Sequence, residues 1–398
     1  MRVLHVLPSL AQSYGGPIRA VLDLSSRAQQ FGLESEVLGC GPVSMPDNPL
    51  GSELLHSVPL GSPASYCYSP QLRPWLRANL QRFDGVVIHG MWLYPGWATA
   101  MECATAGIPY ACFPHGMLER WAVFGQGFWK AAKKTAYWQL RERSIIAGAR
   151  CVFFTTRREQ DLARQTFGLT SVQAILAPYG VDSTTSPVSA PDNSALAQPE
   201  GRKVVLFLGR LHPKKNADLL IEAWIQAQLP SDWHLVIAGS GETDYTNRLK
   251  QMVENGGVSN NVHFAGFVAG RDKLYLLQRA SWFVLPSFQE NFGLTVLEAI
   301  TNGCPVAISD QVFISEALHD KSEVIPLKLE AWVDFMRTRM IDDAWREETV
   351  RLDRELLVPK MAIESIAKAW ANTLIQVFST EPSRLQETLA PTLLRAND

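Results

Sequence analysis

Several things are missing from this 398-residue chain, and each absence narrows what it can be. No stretch approaches the ~18 uninterrupted apolar residues of a membrane-spanning helix, so no such helix is expected. The opening Met1-Arg2-Val3-Leu4-His5-Val6-Leu7-Pro8 is broken by His5 and Pro8 and lacks a small-residue cleavage site. It reads as a first strand rather than a signal peptide. The six cysteines, Cys40, Cys67, Cys103, Cys112, Cys151 and Cys304, form no C-x-x-C pair. Free thiols in a reducing cytoplasm are expected, and a structural zinc is not. There is no basic surplus: the net charge is −2 and the pI about 6.5, which argues against nucleic acid as a partner. No short-period repeat occurs. No dinucleotide G-x-G-x-x-G follows the first strand, which disfavours a dehydrogenase.

What is present suits two domains of common size. Hydrophobic residues make up 46% and charged residues 19%, enough apolar surface to drive folding. Short β-branched and aromatic runs alternate with helix-length segments. Expected strands are Val3–Leu7, Glu36–Leu38, Val86–His89, Tyr110–Phe113 and Cys151–Thr155 in one half. Val204–Leu208, Leu235–Ala238, Val262–Phe264, Trp282–Leu285 and Val306–Ser309 follow in the other. Near-continuous apolar strands separated by helices indicate doubly wound parallel sheets of the α/β class. Residues 1–182 and 201–358 are the expected domains. A Ser-, Thr-, Pro- and Ala-rich linker spans 183–200. A final helix at 359–380 has apolar residues at Ile363, Ile366, Ala367, Trp370, Leu374 and Val377, and the polar residues 381–398 form a tail.

Two segments carry the chemistry. In Pro286-Ser287-Phe288-Gln289-Glu290-Asn291-Phe292-Gly293-Leu294-Thr295-Val296-Leu297-Glu298-Ala299, a strand runs through a loop into a helix. Glu290 stands before the helix and Glu298 within its first turns. Both can face one ligand beside amides that favour phosphate. In Phe207-Leu208-Gly209-Arg210-Leu211-His212-Pro213-Lys214-Lys215-Asn216, Arg210 and Lys215 follow a strand's carboxyl end, where open parallel sheets bind ligands.

The first segment resembles the Glu-x7-Glu signature of family-4 retaining glycosyltransferases, and the second their G-R-L-x-P-x-K-G loop. Asn216 replaces the usual last glycine and tolerates the left-handed conformation. The resemblance implies a GT-B fold, two Rossmann-like domains facing a central cleft. It implies that Glu290 contacts the transferred sugar, Glu298 the nucleotide ribose, and Arg210 and Lys215 the diphosphate. Phe292, Gly293, Leu294 and Thr295 would meet the donor through their backbone. Gly239 of Gly239-Ser240-Gly241, with Gly266 and Phe267, would line the nucleotide.

In the N-terminal half, Gly15 and Gly16 resemble the family's glycine loop toward phosphate and acceptor. Phe113-Pro114-His115-Gly116-Met117-Leu118 resembles a segment of its bacterial exopolysaccharide and O-antigen branch. His115 is then expected beside the leaving sugar, with a catalytic role. Pro178-Tyr179-Gly180-Val181-Asp182 resembles the interdomain hinge, with Tyr179 in place of Asn and a structural role. His89-Gly90-Met91-Trp92 ends a strand, with structural packing as the preferred reading.

The function these features imply is metal-independent, retaining transfer of a hexose-type sugar from a UDP- or GDP-linked donor. The acceptor would be a glycan or a lipid-linked molecule in cell-surface polysaccharide synthesis. No cofactor and no metal are expected, and no Asp-x-Asp motif occurs. The alternatives are a nucleotide-sugar epimerase of the same fold and a non-catalytic sugar-nucleotide-binding protein. Gly127–Arg150 reads as a basic amphipathic helix, with Lys130, Lys133, Lys134, Tyr137 and Arg141 on one face and Phe128, Trp129 and Trp138 at its edges. Such a face suits peripheral contact with the inner face of a plasma membrane.

Overall fold

The computed structural model describes residues 1–11, 16–43, 48–125, 127–169, 172–182, 187–189, 201–319 and 322–380. Gly15, most of the expected linker and the expected tail 381–398 lie outside these residues. The chain divides into two compact units. The first holds Met1–Gly180 together with the segment from Ile363 onward, and the second holds Val181–Ala362.

The first unit is built on a seven-stranded sheet: β1 (Arg2–Val6), β2 (Glu34–Cys40), β3 (Leu55–Val58), β4 (Gly85–His89), β5 (Tyr110–Phe113), β6 (Val152–Phe154) and β7 (Ala174–Leu176). Their order is β3-β2-β1-β4-β5-β6-β7. Every pairing is parallel, for example Val3 opposite both Ser35 and Gly85. Central strands have helices on both faces, so β4 reads Gly-Val-Val-Ile-His with all five residues buried. The last helix, Ile363–Ser379, joins this unit and packs on Gly16–Ala28. Its stripe of Ile363, Ile366, Ala367, Trp370, Leu374 and Val377 is buried. Each large side chain in such a stripe contributes roughly 1.5–3 kcal/mol. A Cβ on Gly85 would overlap the Phe378 ring at 2.4 Å, which leaves glycine as the residue that admits this helix.

The second unit carries β8 (Lys203–Leu208), β9 (Trp233–Ala238), β10 (Val262–Gly266), β11 (Trp282–Leu285), β12 (Val306–Ser309) and β13 (Glu323–Ile325). The order is β10-β9-β8-β11-β12-β13, again wholly parallel. Its core is aromatic: Trp233, Trp282, Trp332, Phe207 and Phe283 are nearly fully buried. The direction of chain winding reverses between β8 and β11. Their carboxyl ends, Leu208 and Leu285, therefore open a crevice, the usual ligand position in such sheets.

All ten strands expected from sequence are present. Three more, β3, β7 and β13, were not foreseen. They are three or four residues long and only partly buried, so no continuous apolar run marks them.

Candidate active site

Two loops of the second unit meet at its switch point. The loop after β8 carries Gly209 to Asn216, and the loop after β11 carries Pro286 to Gly293. The Phe288 N–H donates to the Lys214 carbonyl at 3.0 Å and ties them together. Asn216 takes the left-handed conformation, φ 56°, and starts helix Ala217–Ala227. Lys215 Nζ, from the first loop, forms an ion pair with Glu290 Oε2, from the second. Glu290 is held by its backbone: its N–H reaches the Gln311 carbonyl at 3.3 Å and its carbonyl accepts from Phe313 at 3.1 Å. Burial, and then the charges of Arg210 and Lys214, lower the Lys215 pKa from 10.5 to about 7. The contacting carboxylate favours the charged form and opposes that shift. Arg210 is exposed beside it.

Helix Leu294–Thr301 begins right after the second loop, with Gly293 in the left-handed conformation at φ 80°. A Cβ there would press on Val296 and Val312 at 3.1 Å. The amides of Leu294 and Thr295 belong to the first turn, where no intrahelical acceptor exists. Glu298, two turns of loop and helix beyond Glu290, pairs with Lys273 Nζ at 2.7 Å. Gly239 closes the site from β9. A Cβ on it would lie 1.8 Å from the Gly209 carbonyl oxygen, so any side chain there would force the two loops apart. Its N–H donates to the Gly266 carbonyl at 2.7 Å, and Leu211 donates to Ser240 at 2.8 Å.

The first unit has a different kind of polar centre. His5 Nδ1 lies 3.0 Å from His89 Nε2, and His89 Nδ1 lies 2.9 Å from His115 Nε2. His115 Nδ1 meets the Tyr179 hydroxyl. The rings of His89 and His115 are stacked at 5.1 Å, and Phe113 stacks on His115 at 4.2 Å. Burial keeps all three histidines neutral: His5 and His115 fall to about 3, and His89 well below its ordinary 6.5. The far nitrogen, His5 Nε2, is buried with no partner among the described residues. A bare acceptor there costs less than an orphan N–H. That favours one order, in which His5 donates to His89, His89 to His115, and His115 to Tyr179. His115 sits at φ 53°, followed by Gly116 at φ 79°. The Gly116 N–H donates to buried Glu159 Oε1 at 2.6 Å, while Glu159 Oε2 accepts from the Thr155 N–H and hydroxyl at 2.7 Å.

The Glycosyl transferase 4-like domain matches residues 15–180, and Glycosyl transferases group 1 matches residues 190–333. The chain belongs to the family-4 type of GT-B glycosyltransferases. It is 33% identical over 178 residues to mannosylfructose-phosphate synthase of Agrobacterium fabrum, covering 42% of this chain and 39% of that protein. It is 32% identical over 144 residues to O-antigen chain mannosyltransferase B of Escherichia coli, 36% of this chain and 38% of the relative. The matches thus span about two fifths of these relatives' lengths. In fold it resembles Anabaena HepE, solved with UDP and glucose, at a TM-score of 0.73, 18% identity, 94% coverage of this chain and 99% of HepE.

The anticipated residues divide. Lys215, Glu290, Gly239 and Gly293 come together at the β8–β11 crevice. Arg210 stands next to Lys215, and Glu298 follows on the helix. Phe292 is buried, and Phe267 is 67% exposed at the end of β10. Gly16 begins helix Gly16–Ala28. His115 has both ring nitrogens engaged inside its own unit, one with His89 and one with Tyr179. The sequence reading missed Lys273, Glu159 and His5. Thr156-Arg157-Arg158-Glu159 does carry the capping-box spacing, and the Thr156 hydroxyl accepts from the Glu159 N–H at 3.1 Å. Nothing in the sequence pairs Lys273 with Glu298 or His5 with His89. Both pairs form only when neighbouring strands or helices come together.

Proposed function

We propose that the chain is a retaining transferase that moves a hexose-type sugar from a UDP- or GDP-linked donor to a glycan or lipid-linked acceptor. The observation that carries this reading is the meeting of Lys215 and Glu290, with Arg210 alongside, at the switch point of the second unit. Departure of a sugar leaves negative charge on the diphosphate and positive charge on the anomeric carbon. Arg210, Lys215 and the amides of Leu294 and Thr295 stabilise the first; charge-assisted hydrogen bonds contribute roughly 1.5–3 kcal/mol each. These two cations take the place of a metal. On donor binding Lys215 exchanges Glu290 for phosphate oxygen, and Glu290 turns to a sugar hydroxyl. In this reading Glu298, with Lys273 paired to it, binds the ribose. Gly266, whose missing side chain faces open space, leaves room for the base.

The likeness to the family's Glu-x7-Glu segment supports retention, and the mannosyl relatives support a hexose. The O-antigen relative supports a role in cell-surface polysaccharide synthesis. In the first unit the histidine chain fixes the loop of His115 and Gly116 at a strand's carboxyl end. Its part in transfer is positioning, since both ring nitrogens of His115 are already bonded within that chain.

Radiolabelled UDP- and GDP-sugars, incubated with the protein and lipid-linked or free glycan acceptors, test the proposal. Label transferred with unchanged anomeric configuration supports it. An isomerised donor would identify an epimerase, and donor binding without turnover would leave a binding protein.

A further inference from the structure

The segment between β5 and β6 carries four exposed large apolar residues. It comprises helices Arg120–Phe124 and Phe128–Tyr137 and the π-helical turn Trp138–Glu142. Phe128 is 77% exposed, Trp129 83%, Leu140 77% and Phe124 46%. Scattered single apolar residues on a surface are ordinary, but four within 17 residues form a patch. Phe128 and Trp129 meet edge to face at 5.6 Å, so the two rings form one projecting edge. Trp129, Lys133, Ala136 and Leu140 recur at helical spacing and are all exposed.

The basic face expected from sequence is arranged differently. Lys134 lies over the Trp92 ring at 5.2 Å and Arg141 over Trp97 at 4.3 Å. The Tyr137 hydroxyl lies 2.5 Å from that of Tyr66, and Trp138 is buried against Phe167. Those four residues anchor the segment to the first unit. Anchoring them turns the aromatic edge outward, with Lys130 and Lys133 exposed beside it. From Arg120 through Arg141 the sequence contains no Asp or Glu.

We propose that this face docks on an anionic lipid bilayer. Trp129, Phe128, Leu140 and Phe124 enter the boundary between headgroups and acyl chains, and Lys130 and Lys133 meet the lipid phosphates. Aromatic side chains prefer that boundary, and a segment free of carboxylates meets no repulsion from anionic headgroups. The inference is separate from the sugar-transfer reading: it concerns a surface outside the second unit, and its test uses no sugar.

The test is co-sedimentation of the full chain with two kinds of vesicle, phosphatidylcholine alone and phosphatidylcholine mixed with phosphatidylglycerol. Binding to the mixed vesicles, weakened by salt, is expected. Trp129→Ser with Leu140→Ser should abolish it. Lys130→Glu with Lys133→Glu should weaken it roughly 25-fold or more, from about fivefold for each lysine charge lost near an anionic surface. Circular dichroism melting of each variant should match wild type, because the altered side chains are exposed. Equal binding to both vesicle types, or absence of binding to either, overturns the proposal. So does a concentration-dependent dimer dissolved by the same substitutions, which would assign the face to a second copy of the chain.

Discussion

The two units share a parallel-sheet architecture but use their polar groups in opposite ways. In the first, His5, His89 and Tyr179 are buried and His115 partly so, and all four are uncharged and bonded to one another. In the second, Arg210 and Lys215 from one loop, Glu290 from another and Glu298 from the helix that follows are ionisable and at least partly exposed. A neutral, self-bonded chain holds a backbone in place. Charges left beside a crevice are suited to a ligand that brings charge of its own. The same fold thus supplies rigidity on one side and ligand chemistry on the other.

The largest effect that would break this comparison is on transfer. Arg210→Ala, Lys215→Ala and Glu290→Ala should each lower kcat/KM with labelled donor by about 10²–10³-fold, the scale for losing one charge-stabilising group. Tyr179→Phe should instead leave the chemistry in place and cost about 1–3 kcal/mol of unfolding free energy, read by urea titration, because His115 Nδ1 loses its partner. A loss of activity larger than Lys215→Ala produces would reverse the roles of the two units.

Acid stability sharpens the contrast. The folded-state pKa values of His5 and His115 lie near 3, below the unfolded 6.5. Unfolded chain therefore binds more protons between pH 3 and 6.5, and stability falls as pH drops through that window. Each neutral histidine contributes a slope of about 1.4 kcal/mol per pH unit. Urea titrations across this range should show a shallower fall in His5→Gln than in wild type. Lys215 has its window elsewhere. With a folded pKa of about 7 against 10.5 unfolded, it makes stability rise with pH above 7. Lys215→Met should remove that rise, an effect of about 1 kcal/mol or less per pH unit because Glu290 opposes it. The acid limb should stay unchanged.

Much of the fold was legible because parallel strands buried on both faces are apolar throughout, as Val204–Leu208 and Trp282–Leu285 show. Edge strands such as Glu323–Ile325 carry no such run and escaped notice. At the candidate site, residues close in sequence to a strand end were readable: Arg210 and Lys215 after β8, Glu290 after β11. Partners brought by another element were not. Lys273 comes to Glu298 from helix Gly270–Arg279, and His5 reaches His89 across β1 and β4. The aromatic edge at Phe128 and Trp129 was visible as composition. Which face it occupied depended on Trp92, Trp97 and Tyr66, distant in sequence.

Calorimetric titration of the wild-type chain, Arg210→Ala and Lys215→Ala with UDP and with GDP tests the central claim most directly. Wild type should bind one of the two diphosphates, and each substitution should weaken that binding tenfold or more, as expected for a lost charge-assisted hydrogen bond. Equal affinity in all three proteins would show that the second unit's cations do not hold the diphosphate.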